Sequence, residues 1–448
     1  MSRVLSPAAL DAAATGYITP SEECSAAEFP FSTARDTSGF VERRVAPKCQ
    51  HAPAPADSLA RMLSHAYKHK PGSKVSLRDR ICCYQWTWFT MTMATGGIAN
   101  ALHAIWTGYQ TNWLYYIGLA YFLLNLTLFV MNCVLISLRF AFVSGSFINS
   151  FRDQFESLFI PAVVVSMGTI LINSCEYGIP RAPWLAPVMV HLYWIYIAVS
   201  MFASAGMYLI LWSTQIFPIH TMTPVWVFPA YPLLLTAPLA GNLIYSATLH
   251  GSQAEIPYVA LAFSAVSVQG AGFLISFMIC AAFIYRLMTQ KLPRDMQRPG
   301  VFISIGPGGF TVAGIVLLGQ LSDHIIPAKF QGEEHAVFIV RILSVLIGLW
   351  LWGLSFWFFL VSVGSLWKYL IPGHRLPFQM TWWSFVFPNT ALVTATLQLA
   401  TALDSPGFRV FGCVMAACLV VVWIAVFATM IHCLVKKQLL WPEQASDD

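Results

Sequence analysis

Apolar runs long enough to cross the roughly 30 Å hydrocarbon core of a bilayer recur ten times along the chain. They fall near 84–106, 114–138, 157–175, 188–212, 225–246, 258–285, 301–321, 337–362, 380–403 and 408–434. The odd-numbered runs share a second pattern, a proline or glycine break near the start. The breaks lie at Phe159-Ile160-Pro161-Ala162, Phe228-Pro229-Ala230-Tyr231-Pro232, Ile305-Gly306-Pro307-Gly308-Gly309-Phe310 and Phe387-Pro388-Asn389-Thr390. In the first run, which opens at Phe89, the pair Gly96-Gly97 takes the place of proline. Proline inside a helix costs roughly 3 kcal/mol. In hydrocarbon the freed carbonyls need either a wet cavity or neighbouring polar groups. Five such breaks, roughly 70 to 80 residues apart, predict an all-α membrane protein in which the odd helices ring a central path. The even helices are bulkier, as in the stretch Trp350 to Phe359, and predict an outer, lipid-facing ring.

Composition strengthens the membrane assignment. The 448 residues are 57% hydrophobic and 10% charged, against about 25% charged in a soluble domain. Residues 1–56, rich in Ala, Pro and Ser and without an apolar core of signal-peptide length, predict a disordered cytosolic tail. Residues 57–80 follow as a juxtamembrane helix and linker, with Leu59, Met62, Leu63 and Ala66 on one apolar face. The ten-helix domain then occupies 81–435, and 436–448 form a second tail.

Lys and Arg placement sets the orientation. Eleven of them precede the first span, and ten more fall on the same side, from Arg139 and Arg152 to Lys436 and Lys437. The opposite side has only Arg181, Lys329 and Arg409, with Arg341 just inside the eighth helix. Both termini are therefore expected in the cytosol. The cysteines are scattered, without Cys-x-x-Cys spacing, and read as small apolar side chains.

The odd helices carry uncharged hydrogen-bonding groups suited to replacing part of a solute's hydration shell. The candidates are Thr90, Thr95, Gly96, Gly97 and Asn100 in the first, Ser166 and Asn173 in the third, and Thr236 in the fifth. Ser304, Gly306 and Thr311 in the seventh and Asn389 and Thr390 in the ninth complete the set. The alternative for each is that small and hydroxyl residues let helices pack closely. No Asp, Glu, Lys or Arg occupies the middle of an odd helix, which argues against a cation pathway. An anion path needs no fixed charge where interrupted helices aim positive dipole ends at a cavity. Arg78 and Arg80 are candidates for the cytosolic mouth, or else ordinary anchors. Phe387, directly before Pro388, is a candidate gate, or else a core aromatic.

Other chemistry is sparse. His65 and His69 have a metal-compatible spacing but nothing local to complete a site, so no metal is expected, and no cofactor. Gly306-x-Gly308-Gly309 follows no strand and lacks the Lys-Ser/Thr of a phosphate loop. A membrane enzyme should cluster His, Asp or Cys at one depth, and a seven-helix receptor would need three fewer spans. Neither an enzyme nor a nucleic-acid binder is expected.

The stretch Trp86-Thr87-Trp88-Phe89-Thr90-Met91-Thr92-Met93-Ala94-Thr95-Gly96-Gly97-Ile98-Ala99-Asn100 resembles the first helix of the tellurite-resistance/dicarboxylate transporter (slow anion channel-like) family. Phe302 to Gly314 and Trp382-Trp383-Ser384-Phe385-Val386-Phe387-Pro388 are similar to its seventh and ninth helices, and the likeness covers about residues 80–435. Fungal malate permeases resemble the chain most, although Ala94 stands where the family often has glycine. The resemblance implies ten helices as five hairpins, a homotrimer with one pore per protomer, and a pore-occluding phenylalanine at the position of Phe387. It implies a plasma-membrane transporter of malate, succinate and fumarate. The alternative is an anion channel or sulfite exporter of the same fold. With no carboxylate in mid-membrane, any coupled proton is expected to travel on the substrate, as the monoanion.

Overall fold

Each proline break appears in the computed structural model as an interruption of the α-helix or a change of its winding. The structure describes residues 75–109, 111–250, 256–327, 334–371 and 376–442. The expectations for the tail 1–56, the surface helix with His65 and His69, Lys329, Arg375 and residues 443–448 lie outside the described residues. Among the described residues, ten helices of twelve residues or more follow one another: α1 (Phe89–Tyr109), α2 (Asn112–Phe142), α3 (Ala162–Asn173), α4 (Leu185–Thr214) and α5 (Thr236–Leu249). They continue with α6 (Tyr258–Gln290), α7 (Gly306–Gln320), α8 (Glu334–Ser365), α9 (Phe387–Ala402) and α10 (Pro406–Val435).

Tightly wound 3₁₀ segments, Trp86–Trp88, Pro224–Leu235, Asp295–Ile305 and Met380–Phe385, lead into α1, α5, α7 and α9. Such winding rarely exceeds three or four residues. Here Pro229, Pro232 and Pro299 lie within it and deny the α-helical donors. Pro307 and Pro388 sit in the first turns of α7 and α9, where an N–H would be unpaired anyway.

Eight stretches among the described residues are long and apolar enough to cross a membrane, and no strand is present among them. α1 and α9 fall outside that set. α9 has 16 residues because winding changes at Val386, and α1 is diluted by threonines, Asn100 and His103. Burial separates two layers. In the apolar windows of Pro224–Leu249 and Asp295–Gln320, 94% of residues are buried, and in Glu156–Gly178 72%, against 11 to 33% in the other five stretches. The odd helices are the inner layer.

Two expectations need correction. Gly96-Gly97 does not break the first helix, because α1 runs through both residues. They are contact points instead: a Cβ on Gly97 would stand 2.5 Å from Thr390 Oγ1, and one on Gly96 2.6 Å from Thr169 Oγ1. The break in this segment is the turn at Trp86–Trp88. At the breaks before α1 and α5, freed backbone groups meet side chains of the outer helices rather than a lumen. Asn132 donates to Trp88 O at 3.0 Å, and Tyr196 to Pro232 O at 2.8 Å. Gln269 accepts from the Ala237 N–H at 3.2 Å. At the same end of the fold, the buried pair Arg139–Glu156 ties the end of α2 to the start of the third inner segment, one of its bonds being 3.0 Å.

Candidate functional site

One helical face of every inner segment converges on a cavity of about 430 Å³. α1 contributes Asn100, His103, Ala104 and Thr107, at the three- and four-residue spacing of a single helix face. α5 presents Pro238, Asn242 and Tyr245; α7 presents Phe310, Ala313, Leu317 and Gln320; α9 presents Thr394, Leu397, Gln398 and Thr401. The third inner segment supplies Ile172 and Glu176. Arg409, in the first turn of α10, joins the same wall. The cavity lies toward the end of the fold that carries Arg409, opposite Ser76 and Arg80.

Three rings close its deep end. Phe387 is 5.1 Å from Phe310 and 5.9 Å from Tyr231, centroid to centroid, and Tyr231 is 6.4 Å from Phe310. Phe387 is only 3% exposed. The Tyr231 hydroxyl donates to Ile303 O at 2.5 Å, which pins that ring. Beyond the rings a pocket of about 10 Å³, lined by Thr90, Trp383, Phe387 and Pro388 among others, has room for one water. Past it, a hollow of about 260 Å³ opens toward the other face, with Cys83, Gln85, Thr87, Met380 and Thr381 in its wall. These spaces form two hollows separated by an aromatic plug. No small organic anion passes the plug in this conformation.

Dipoles fall differently from expectation. α9 begins with Phe387 itself, and α7 begins at Gly306, where a Cβ would stand 2.9 Å from Tyr231 Cζ. The positive ends of these helices therefore lie beside the plug, and the large cavity is lined by later turns. Its fixed charges are side chains. Arg409 is held loosely by the exposed Asp404, at 3.6 Å. Glu176 is 3% exposed, and its Oε1 lies 3.8 Å from His103 Nδ1.

Of the residues singled out from the sequence, Asn100 lines the cavity, and Thr90 and Phe387 line the small pocket at the plug. Several others turn toward neighbouring helices. Thr95 accepts from Trp423 Nε1 at 3.2 Å, and Thr311 accepts from Gln269 Nε2 at 2.9 Å. Ser166 bonds Thr92 at 2.7 Å, and Asn173 donates to Gly96 O at 3.0 Å. Thr236, Ser304, Asn389 and Thr390 donate within one turn of their own segments, to Leu233, Val301, Phe385 and Phe387. Arg78 lies over the Phe142 ring at 5.1 Å, and Arg80 is half-buried with its Nε unpartnered. Neither arginine lines the cavity, the pocket or the lower hollow.

The sequence reading missed His103, Glu176, Phe310, Tyr231 and Arg409. The stripe Asn100–His103–Thr107 was visible as helical spacing. Glu176 lies one residue past the third apolar run, 157–175. In the structure one turn of π-helix, Ser174–Gly178, continues it and buries the carboxylate.

Residues 83–431 match the voltage-dependent anion channel family. The chain is 25% identical to the malic acid transport protein of Schizosaccharomyces pombe, over 83% of each chain. It is also 25% identical to a putative malic acid transport protein of the same yeast, over 84% of this chain and 85% of that one. The sulfite efflux pump of Trichophyton rubrum is 23% identical, over 82% of this chain and 96% of its own.

Proposed function

The chain belongs to the voltage-dependent anion channel family, and from that premise we propose that it carries malate and related C4-dicarboxylates across the plasma membrane. It does so as ten crossings in five hairpins, with both termini cytosolic and three copies assembled as a homotrimer. The observation that carries this reading is the cavity to which all five inner segments contribute. Its wall of amides and hydroxyls, Asn100, Asn242, Gln320, Gln398, Thr394 and Thr401, offers a hydroxy-diacid donors and acceptors without a deep electrostatic trap. Its volume exceeds the roughly 300 Å³ at which small-molecule sites begin. The rings of Phe387, Phe310 and Tyr231 form the gate. Arg409 at the cavity attracts the anion, and Arg78 and Arg80 serve as anchors on the cytosolic side.

The test is counterflow in proteoliposomes, with labelled malate exchanged against unlabelled small acids and sulfite. Malate, succinate and fumarate should each drive label uptake. Large uncoupled chloride or nitrate currents would instead make the protein a channel, and selective exchange of sulfite would align it with the efflux pumps it resembles. With no carboxylate in mid-membrane, a coupled proton travels on the substrate, as the monoanion. Glu176, two residues from the end of its segment, adds a carboxylate to the cavity wall.

A further inference from the structure

Glu176 and Arg409 are, among the described residues lining the large cavity, its only carboxylate and its only permanent cation. They do not form an ion pair. Glu176 Oε2 is buried without any hydrogen-bond partner, and Oε1 faces the imidazole of His103 across 3.8 Å. His103 is itself 6% exposed and packs against the rings of Trp106 and Tyr177.

The groups around the pair are few. On its own turn are Cys175 and Tyr177, whose hydroxyl is committed to Ala99 O at 2.8 Å. α5 and α4 pack against that turn; α5 brings Tyr245, and His191 of α4 is exposed and bonded to Pro187 O at 2.8 Å. α2 adds Tyr115, covered by the exposed Arg181 at 5.5 Å from its ring. None of these neutralises an ionised Glu176.

An unpaired carboxylate in the wall of an anion path is a contradiction unless it binds protons. We propose that Glu176 and His103 form a proton-binding site that makes anion occupancy of this cavity depend on pH. The proposal rests on the anion-path reading above. A proton adds to Glu176 at Oε2 and leaves a neutral carboxyl beside His103, the pair binding one proton in all. With no proton the pair repels an anion, and with one it is neutral. Linkage is reciprocal, so an arriving anion draws protons to the pair as protons draw the anion. Flux into this cavity therefore rises as pH falls on the face where it opens.

The experiment compares wild type, E176Q and H103Q in proteoliposomes between pH 5.5 and 7.5, with nitrate and with malate as probes. Titration of malate itself affects every variant alike, so the E176Q to wild-type rate ratio isolates the protein's protons. That ratio should rise about tenfold from pH 5.5 to 7.5, a change of ~1.4 kcal/mol, because glutamine stays neutral throughout. H103Q, which removes the imidazole beside the carboxyl, should shift the pH at which the rate falls. A ratio constant with pH overturns the proposal, as does a wild-type nitrate flux that ignores pH, which is read without any variant. If E176Q fails to fold, an H103Q profile parallel to wild type overturns it. If neither probe moves at any pH, the transport reading fails and this inference falls with it.

Discussion

Phe387 shows how one residue can be both core and gate. Its ring is buried against Phe310 and Tyr231, as a packed aromatic would be, yet the same contacts separate the two hollows. Phe387→Ala should raise malate flux about tenfold, a barrier change of ~1.4 kcal/mol, while lowering stability by about 3–5 kcal/mol through the lost ring. Proteoliposome flux alongside thermal unfolding checks both, and unchanged flux in a folded variant would return the ring to a purely structural role. Legibility at this scale was partial. Thr95 and Thr394 look alike in sequence, but Thr95 accepts from Trp423 on α10, whereas Thr394 lines the cavity. Helical period tells which residues share a face. It does not tell which neighbour that face meets, and that neighbour decides whether a hydroxyl is packing or lining.

Elements were more legible, because proline leaves a backbone no choice. The winding before α5 contains its predicted break, and those before α7 and α9 run up to theirs. Glycine is ambiguous in a way proline is not: it both loosens a helix and allows close approach, and Gly96-Gly97 does the second. The same use recurs where α7 meets α9. A Cβ on Gly309 would stand 2.8 Å from the Ala391 carbonyl carbon, a backbone atom that cannot rotate away. Gly309→Ala should therefore cost about 1–3 kcal/mol by overpacking, read as a lowered Tm in detergent. An unchanged Tm would show that the two helices can part without loss. What the sequence could not convey is how the breaks are sealed. Asn132, Tyr196 and Gln269 sit on greasy outer helices, and only their inward direction shows that they complete the inner ones.

For the whole molecule, the arrangement is asymmetric: a large cavity on the face of Arg409, a plug, and a smaller hollow on the other face. Charge at the larger mouth should act at long range and therefore be screened. Arg409→Ala is expected to slow anion uptake several-fold at low ionic strength, with the difference shrinking as the Debye length falls from about 10 Å at 0.1 M salt to about 3 Å at 1 M. A salt-independent deficit would point to direct contact instead. In the proposed orientation that mouth faces the outside of the cell, and the plug makes the placement testable. In a Cys418→Ser background, which removes an exposed native thiol, Asn100→Cys should react with a membrane-impermeant maleimide added outside intact cells. Thr90→Cys, beyond the rings, should resist the reagent from that side and become reactive when Phe387→Ala is added. Cys83, in the wall of the lower hollow, is a built-in control: burial pushes its thiol up to about 11, so labelling near neutral pH should be slow and should rise as pH approaches that value. If Asn100→Cys reacted only in inside-out vesicles, the assigned orientation would be reversed. The plug and its two hollows would stand, but Glu176 and His103 would then sense cytosolic rather than external pH.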